Sequence, residues 1–374
     1  MEVGGARGGS SQSDSRGGHS QSSERRKDDT NIQLKAAEHY NSRQDKKRKL
    51  DSNLETLQQK NMNNWVKAIL IATSVKPGCS ILDLACGKGG DLPKWNQQSI
   101  GHYVGIDIAY QSIRDAIARY NGDSYRAKCG FPATWCAGNF VSPRLFDELE
   151  RKCPGIYFDA VSCQFAIHYS WTSREDALSA LRNAASRLRK NGLFIGTTTD
   201  ANVLVKKLQA AEGLKFGNSL YGVEFVCEAG QDAATFDKTF AGRSPFGIRY
   251  RFSLKDAVDD CEECLVHFPT MRELAKSVGL ELVEDLNLVN FFERCTTHSS
   301  KKEGYVDLLK RMKVLDRNGT ISPDQWEVVY LYKTFVMRKV DDIPEALIRQ
   351  KWQRPPTAHT PTSVEDILIL TPDC

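Results

Sequence analysis

The residues with the most chemical potential in this chain stand together in Leu82-Asp83-Leu84-Ala85-Cys86-Gly87-Lys88-Gly89-Gly90-Asp91-Leu92. A strand-like run enters a glycine-rich turn and then a helix, and glycine at such a turn lets backbone approach a ligand closely and adopt positive φ. A dinucleotide fingerprint would need G-x-G-x-x-G with a pyrophosphate on the helix N-terminus. Here the spacing is Gly87-x-Gly89-Gly90, with one acid, Asp83, inside the strand and another, Asp91, at the helix start. An acid where a phosphate would sit argues against NAD and suits a cationic ligand. The next strand-like run ends at Asp107, 22 residues past Ala85, where the two hydroxyls of an adenosine ribose would need a carboxylate acceptor.

Elements that could position these groups follow from periodicity. Leu54, Leu57, Met62, Trp65, Ile69 and Leu70 lie at near-helical spacing across 53–75, and Pro77-Gly78 ends that helix. Strand-like runs follow at 80–84, 102–107, 133–137, 158–162 and 193–197. Helical stretches fall between them, including Arg174 to Lys190, with Ser173 as N-cap and Gly192 as stop. Alternating strand and helix over this distance predicts an α/β, mostly parallel, doubly wound sheet, whose ligands bind beyond the carboxyl ends of its strands.

Length and composition bound the rest. The 374 residues suffice for one large or two medium domains. No run approaches the ~18 to 20 apolar residues that span a bilayer, and Met1 precedes Gly, Ser and charge rather than an apolar signal core, so no membrane partner is expected. Eleven scattered cysteines, an odd number, do not make a disulfide framework and point to a reducing compartment. A net charge of +4 neither demands nor excludes nucleic acid. Residues 1–32, rich in Gly, Ser and charge, are expected to be a disordered extension. The basic cluster Asp45-Lys46-Lys47-Arg48-Lys49-Leu50 fits a nuclear import signal, an RNA-backbone contact or a solvated face. The core domain is expected at 33–339, with an insertion at about 201–263, and residues 340–374 as a proline-containing tail outside it.

The glycine turn together with Asp107 resembles the Rossmann-like class I S-adenosylmethionine-dependent methyltransferase fold. Further motifs narrow the resemblance: Asn63-Asn64-Trp65-Val66-Lys67, Cys86 through Trp95, Ser162-Cys163-Gln164-Phe165-Ala166-Ile167-His168-Tyr169-Ser170, and Phe194-Ile195-Gly196-Thr197-Thr198. In that order they look like the eukaryotic mRNA cap guanine-N7 methyltransferases. The resemblance reaches Glu38-His39-Tyr40-Asn41 upstream, and Glu263-Cys264-Leu265-Val266-His267-Phe268-Pro269 and Trp326 to Phe335 downstream, about 36–338 in all. It implies a seven-stranded sheet with an inserted substrate or lid region, S-adenosylmethionine as cofactor, S-adenosylhomocysteine as product, and a 5′ GpppN capped pre-mRNA as partner. A nuclear location follows from that substrate class. Capping machinery or an activating subunit is left open as a further partner.

Residue by residue, the resemblance implies that Lys67, Ala85, Asp107, Asn139, Gln164 and Tyr169 hold the cofactor. Position 139 would contact the adenine; the family usually has Asp there, and a slip of one residue would place Gly138 instead. Cap contacts are implied for Asn63, Asn64, Lys88, Lys94, Arg119, His168, Glu263 and Tyr332. Glu263 would match guanine N1–H and the 2-amino group, and three cations near a triphosphate make electrostatic sense. Without the resemblance, Glu263 in Asp259-Asp260-Cys261-Glu262-Glu263 reads as an acidic surface run. Thr199 stands where the family commonly has proline, which is expected to loosen the entry to the insertion.

The reaction needs no general base, because guanine N7 has an in-plane lone pair and no proton, so no catalytic residue is expected beyond proximity and orientation. No metal is expected, since Cys261-x-x-Cys264 is only half of a zinc-type spacing. Two other functions stay open at this stage: a cap-binding regulatory paralogue with weak or no catalysis, and a small-molecule methyltransferase. The second is favoured only if Lys88, Lys94, Arg119, His168, Glu263 and Tyr332 fail to line one cleft.

Overall fold

The computed structural model describes residues 32–38, 55–122, 128–227, 231–343 and 358–370. The expected disordered extension, apart from its last residue, and the basic cluster 45–50 lie outside the described residues. Helix α1 (32–38) comes first, followed by α2 (Leu57–Ser74), whose buried stripe of Met62, Trp65, Val66, Ile69 and Leu70 has the 3-and-4 spacing of one helix face. Strand and helix then alternate through β1 (Ser80–Leu84), α3 (Leu92–Gln97), β2 (His102–Asp107), α4 (Tyr110–Asn121), β3 (Ala133–Ala137), α5 (Leu145–Lys152), β4 (Phe158–Gln164), α6 (Arg174–Ser186) and β5 (Leu188–Thr199). Every residue of β1 and β2 is buried, as happens when helices cover both faces of a parallel sheet.

Helix α7 (Ala201–Ala210) opens the insertion, which continues as strands β6 (Lys215–Gly217), β7 (Tyr221–Phe225), β8 (Arg249–Leu254) and β9 (Val258–Cys264). These four strands form their own antiparallel sheet. Its inner residues Tyr221, Val223, Phe225, Tyr250 and Phe252 share one apolar core with Trp65 and Ile69 of α2, so the insertion is built onto the domain rather than hung from it. The chain then runs through α8 (Phe268–Ser277), β10 (Leu280–Asn287), α9 (Leu288–Glu293), α10 (Lys302–Arg311), α11 (Pro323–Tyr330), β11 (Tyr332–Lys339) and the two-residue β12 (Leu368–Ile369).

The main sheet has the order β10-β11-β5-β4-β1-β2-β3-β12. Its strands pair parallel except β11, which runs antiparallel to both β5 and β10. The parallel order 3-2-1-4-5 is that of a doubly wound sheet, with its switch point between β1 and β4. Both candidate motifs, the glycine turn after β1 and the run after β4, open on that crevice.

Three expectations are corrected. The helix expected to reach Lys190 ends at Ser186, and Gly192 lies inside β5. The β4–β5 register jumps from Phe158↔Leu188 to Ala160↔Leu193, so the intervening residues bulge, with Asn191 at φ 65°. The segment entering the insertion is not loosened by Thr199, which is buried and paired with Tyr332 across β5 and β11. The tail does not lie wholly outside the core: residues 358–370 return to the sheet, where β12 pairs parallel with β3 as an eighth strand.

Candidate active site

The turn after β1 bends through left-handed backbone at Ala85 (φ 59°), Gly87 (φ 52°) and Gly89 (φ 68°). An added Cβ at Gly87 would meet nothing within 4 Å, so its conformation rather than crowding requires glycine, and the surface above it is open to a ligand. The backbone N–H of Gly87 donates to Asp107 Oδ2 at 2.8 Å, and that of Ala109 to Oδ1 at 2.9 Å. Burial pushes the Asp107 carboxyl up to about 6, against the lowering effect of these two bonds. A carboxylate has about four acceptor positions, so two remain for a vicinal diol.

Beside the turn, Asp91 gathers two lysines: Lys67 Nζ at 2.8 Å and Lys94 Nζ at 2.7 Å. Burial would raise Asp91, yet the two cations outweigh it and hold the carboxyl at about 2. Lys94 also donates to Asn64 Oδ1 at 2.9 Å and to the Gly90 carbonyl at 3.4 Å. Lys88 pairs with Asp115 on α4 at 2.9 Å. The Arg119 guanidinium reaches the same turn, 3.9 Å from where a Cβ on Gly90 would sit. Behind them, Asp83 accepts from Tyr103 Oη at 2.9 Å and Trp95 Nε1 at 3.4 Å, and burial with the nearby Asp91 charge lifts its carboxyl to about 7.

Asn139 follows β3. Its Oδ1 accepts from the Val141 N–H at 3.1 Å, and its Nδ2 donates to Gln33 Oε1 of α1. Gln33 in turn donates to the Tyr169 carbonyl at 3.2 Å and to Asp176 at 3.4 Å, so α1 is pinned across the ends of β3 and β4. Gln164 is held by Ser162 and by the Thr197 hydroxyl, which donates to its Oε1 at 3.1 Å.

The second cluster sits where β4, β5, β9 and β11 meet. Glu263 is buried, accepts from the Tyr250 hydroxyl at 2.7 Å through Oε2, and faces His168 Nε2 at 3.6 Å through Oε1. Its carboxyl is raised to about 7 by burial, with the Tyr250 bond opposing. His168 is buried, and neither ring nitrogen has a hydrogen-bond partner. Burial holds its imidazole down at about 3, hence neutral. Thr199 Oγ1 lies 2.9 Å from the Tyr250 oxygen. Because the Tyr250 proton points to Glu263, the threonine hydroxyl is the donor in that contact. The rings of Phe165 and Tyr332 meet edge to face at 5.1 Å, with Phe252 against Tyr332 at 6.2 Å. The Tyr169 ring lies tilted against that of His168, centroids 4.4 Å apart, and its hydroxyl contacts Cys261 Sγ at 3.4 Å.

The expected residues therefore form two groups on the carboxyl-end side of the sheet. Asn64, Lys67, Ala85, Lys88, Lys94, Asp107 and Arg119 ring the glycine turn, with Asn139 after β3 next to Gly138, whose N–H meets the Asp107 carbonyl; His168, Tyr169, Glu263 and Tyr332 form the second group, with Gln164 between them at the end of β4. Asn63 lies on the α2 face next to the first group, its Oδ1 buried without a partner. Lys94 is neutralised by Asp91 rather than offered as a bare cation. Sequence reasoning missed Tyr250, Gln33 and the function of Thr199. Tyr250 stands directly opposite Glu263 in the β8–β9 register, a pairing set by a hairpin whose offset no residue pattern announces. Among the described residues no group of three or more His, Cys, Asp or Glu is placed to hold a metal ion, and neither Cys261 nor Cys264 forms a disulfide.

Comparison with known proteins gives a consistent result. Residues 23–340 match the sequence model of the mRNA (guanine-N(7))-methyltransferase domain. A relative from Oryza sativa subsp. japonica, mRNA cap guanine-N(7) methyltransferase 1, is 41% identical over 330 residues, covering 86% of this chain and 84% of its own. Its namesake from Arabidopsis thaliana is 44% identical over 317 residues, covering 83% and 82%. The mRNA cap guanine-N(7) methyltransferase of Schizosaccharomyces pombe is 34% identical over 327 residues, covering 84% of both chains. With the family model spanning most of its length and relatives of this identity over most of theirs, the chain belongs to the mRNA cap guanine-N7 methyltransferase family.

Proposed function

We propose that the crevice binds S-adenosylmethionine along the glycine turn and the terminal guanine of a 5′ GpppN RNA against Glu263, and that the methyl passes in line to guanine N7. The observation that carries this reading is the Glu263–His168 pair. A buried carboxylate with one oxygen turned into the site, beside a buried neutral imidazole with two unpartnered nitrogens, is costly in isolation and complementary to a base edge carrying adjacent donors and an acceptor. Guanine offers N1–H and the 2-amino group to Glu263 and O6 to an imidazole N–H.

The glycine turn fits the cofactor by its own chemistry: Asp107 keeps acceptor capacity for a ribose diol, the backbone above Gly87 is open, and two lysines, Lys67 and Lys94, against the single charge of Asp91 leave a net positive group beside the turn for the methionine carboxylate. When bound, the cofactor supplies an electrophilic methyl on sulfur. The chain's residues then have three tasks. Asp107, with Asn139 and Gln164, orients the donor; Glu263, Tyr332 and Phe165 fix the plane of the guanine; and the neutral His168 avoids placing a positive charge beside a base that becomes cationic. Orientation of this kind can lower a barrier by several kcal/mol without any proton transfer. Lys88 and Arg119 near the turn suit the cap triphosphate. The nucleus is the proposed site of action, following from the substrate class.

The test is acceptor editing. An inosine-capped RNA lacks only the 2-amino group, and its kcat/KM should fall about tenfold or more below that of a guanosine cap, the effect of leaving one buried charged acceptor unpaired. Equal kcat/KM for the two caps would contradict the assignment of Glu263.

A further inference from the structure

The family match ends at residue 340, yet the chain continues and residues 358–370 pack on the far edge of the main sheet. The attachment is specific along its length. His359 Nδ1 lies 3.0 Å from the Cys129 carbonyl, and its ring stacks 4.8 Å from that of Tyr120. The Tyr120 hydroxyl reaches the Thr360 carbonyl at 3.2 Å. Asn121 and Thr362 bond reciprocally, Asn121 Nδ2 donating to the Thr362 carbonyl at 2.9 Å and the Thr362 N–H to Asn121 Oδ1 at 3.2 Å. Ser363 and Asp366 close a capping box, after which Leu368 and Ile369 pair with Cys136 and Ala137 of β3.

The last described residue lands at the candidate site. The Leu370 N–H donates to the Ala137 carbonyl at 2.9 Å, and the Leu370 side chain, buried, lies over Gly138. A Cβ at Gly138 would stand 2.3 Å from that of Leu370, so glycine is required here for the tail to seat. Gly138 N–H donates to the Asp107 carbonyl at 2.9 Å, and the next residue is Asn139. One dipeptide thus touches the tail on one side and the backbone of the ribose-side carboxylate on the other.

We infer that the C-terminal segment 358–370 is a strap that positions the Asp107 and Gly138–Asn139 backbone for the cofactor, so that cofactor affinity depends on the tail being seated. The inference rests on the reading of Asp107 and Asn139 as cofactor residues. Leu370 acts through Gly138 and is a positioning residue, not a catalytic one. The same addition of a strand covers the β3 edge, which would otherwise expose unpaired backbone.

The test compares the full chain with a chain ending at residue 357, with Leu370→Ala, and with Asn121→Ala, a change that removes the reciprocal clasp. Affinity for S-adenosylhomocysteine is read by calorimetry, affinity for a GpppA cap analogue separately, and melting temperature alongside. The expected result is a loss of about tenfold in S-adenosylhomocysteine affinity for the truncation, within the usual range of coupling between sites. Leu370→Ala and Asn121→Ala should show smaller losses in the same direction. Cap-analogue affinity should change less than twofold, and a synthetic peptide of residues 358–374 added in trans should restore the truncated chain. Unchanged S-adenosylhomocysteine affinity in the truncation, or cofactor and cap affinities falling together in step with melting temperature, would overturn the strap. If the truncation does not fold, Leu370→Ala decides by the same criterion. Asp107→Ala in the full chain separates the two claims, because full S-adenosylhomocysteine affinity in that variant would overturn the reading of the cofactor site itself.

Discussion

The Tyr250 hydroxyl donates to Glu263 Oε2 at 2.7 Å while Glu263 Oε1 faces His168 at 3.6 Å, so one carboxylate has a structural oxygen and a recognition oxygen. Thr199 completes the relay from behind, 2.9 Å from Tyr250. Removing the tyrosine hydroxyl takes away a bond that favours the ionised acid. Tyr250→Phe should therefore weaken cap binding by about tenfold at pH 7, with most of the loss recovered at pH 8.5 and the KM for S-adenosylmethionine unchanged. Titration calorimetry at the two pH values checks this, and a loss independent of pH would contradict the relay.

Glu263→Ala should reduce kcat/KM for capped RNA roughly 100-fold or more, the usual effect of truncating one side of a buried charged contact. Cofactor affinity should remain within twofold, since Glu263 meets Tyr250 and His168 and, among the described residues, no bond joins it to the glycine turn. Separate KM values for RNA and cofactor distinguish the two.

Cap affinity should rise with pH between about 6 and 8. Glu263 is raised to about 7 and must be ionised to accept two guanine donors, whereas His168, held at about 3, contributes no transition in that range. The folding stability of the ligand-free protein should move the opposite way. Asp83 at about 7, Asp107 at about 6 and Glu263 at about 7 all sit above their ordinary carboxyl values. For groups raised in the folded state, stability present below the unfolded pKa is lost as pH rises through the folded one. The melting temperature should thus decline from pH 5 to 8. His168, lowered to about 3, and Asp91, lowered to about 2, act in the other sense: the histidine withdraws its contribution as pH falls below about 6.5, offsetting part of the decline, and the aspartate only below about 4. Melting curves across pH 3 to 8 would contradict this if they rose monotonically to pH 8.

Asp91→Asn should leave Lys67 and Lys94 crowded without a counter-charge, at a cost of about 3 kcal/mol or more. Cofactor affinity should fall with stability, because Lys67 loses the anchor that holds it beside the turn. Denaturant unfolding and S-adenosylhomocysteine binding measure the two losses.

Asn139→Asp should tighten cofactor binding about fivefold, as a charge-assisted acceptor replaces a neutral one. The variant gives up the donation of Asn139 Nδ2 to Gln33 Oε1, and the Gln33 amide cannot turn without losing its bonds to the Tyr169 carbonyl and Asp176, so the melting temperature should fall modestly alongside. No gain in the variant would mean that Asn139 does not meet the adenine amino group.

Much of this arrangement was readable from residues alone because it is local. The burial of β1 and β2 on both faces, the glycine turn and the carboxylate at Asp107 all follow from contiguous patterns, and their strand limits match the sequence reading. The helix ending at Ser186 was overrun because Arg187 to Asn191 have no strong breaker, and the bulge that absorbs them is set by β4. Tyr250 opposite Glu263, Gln33 across Asn139 and Leu370 over Gly138 are contacts between segments far apart in the chain. Their partners are chosen by hairpin register and by packing, which composition and periodicity do not encode.

The most direct measurement incubates the full chain with methyl-labelled S-adenosylmethionine and RNA carrying an unmethylated GpppA end, then releases and identifies the cap nucleotide. Label recovered as N7-methylguanosine cap is the predicted result. Binding of both cofactor and cap without label in the cap, or label at another position of the RNA, would contradict the assignment of this crevice as the site of N7 transfer.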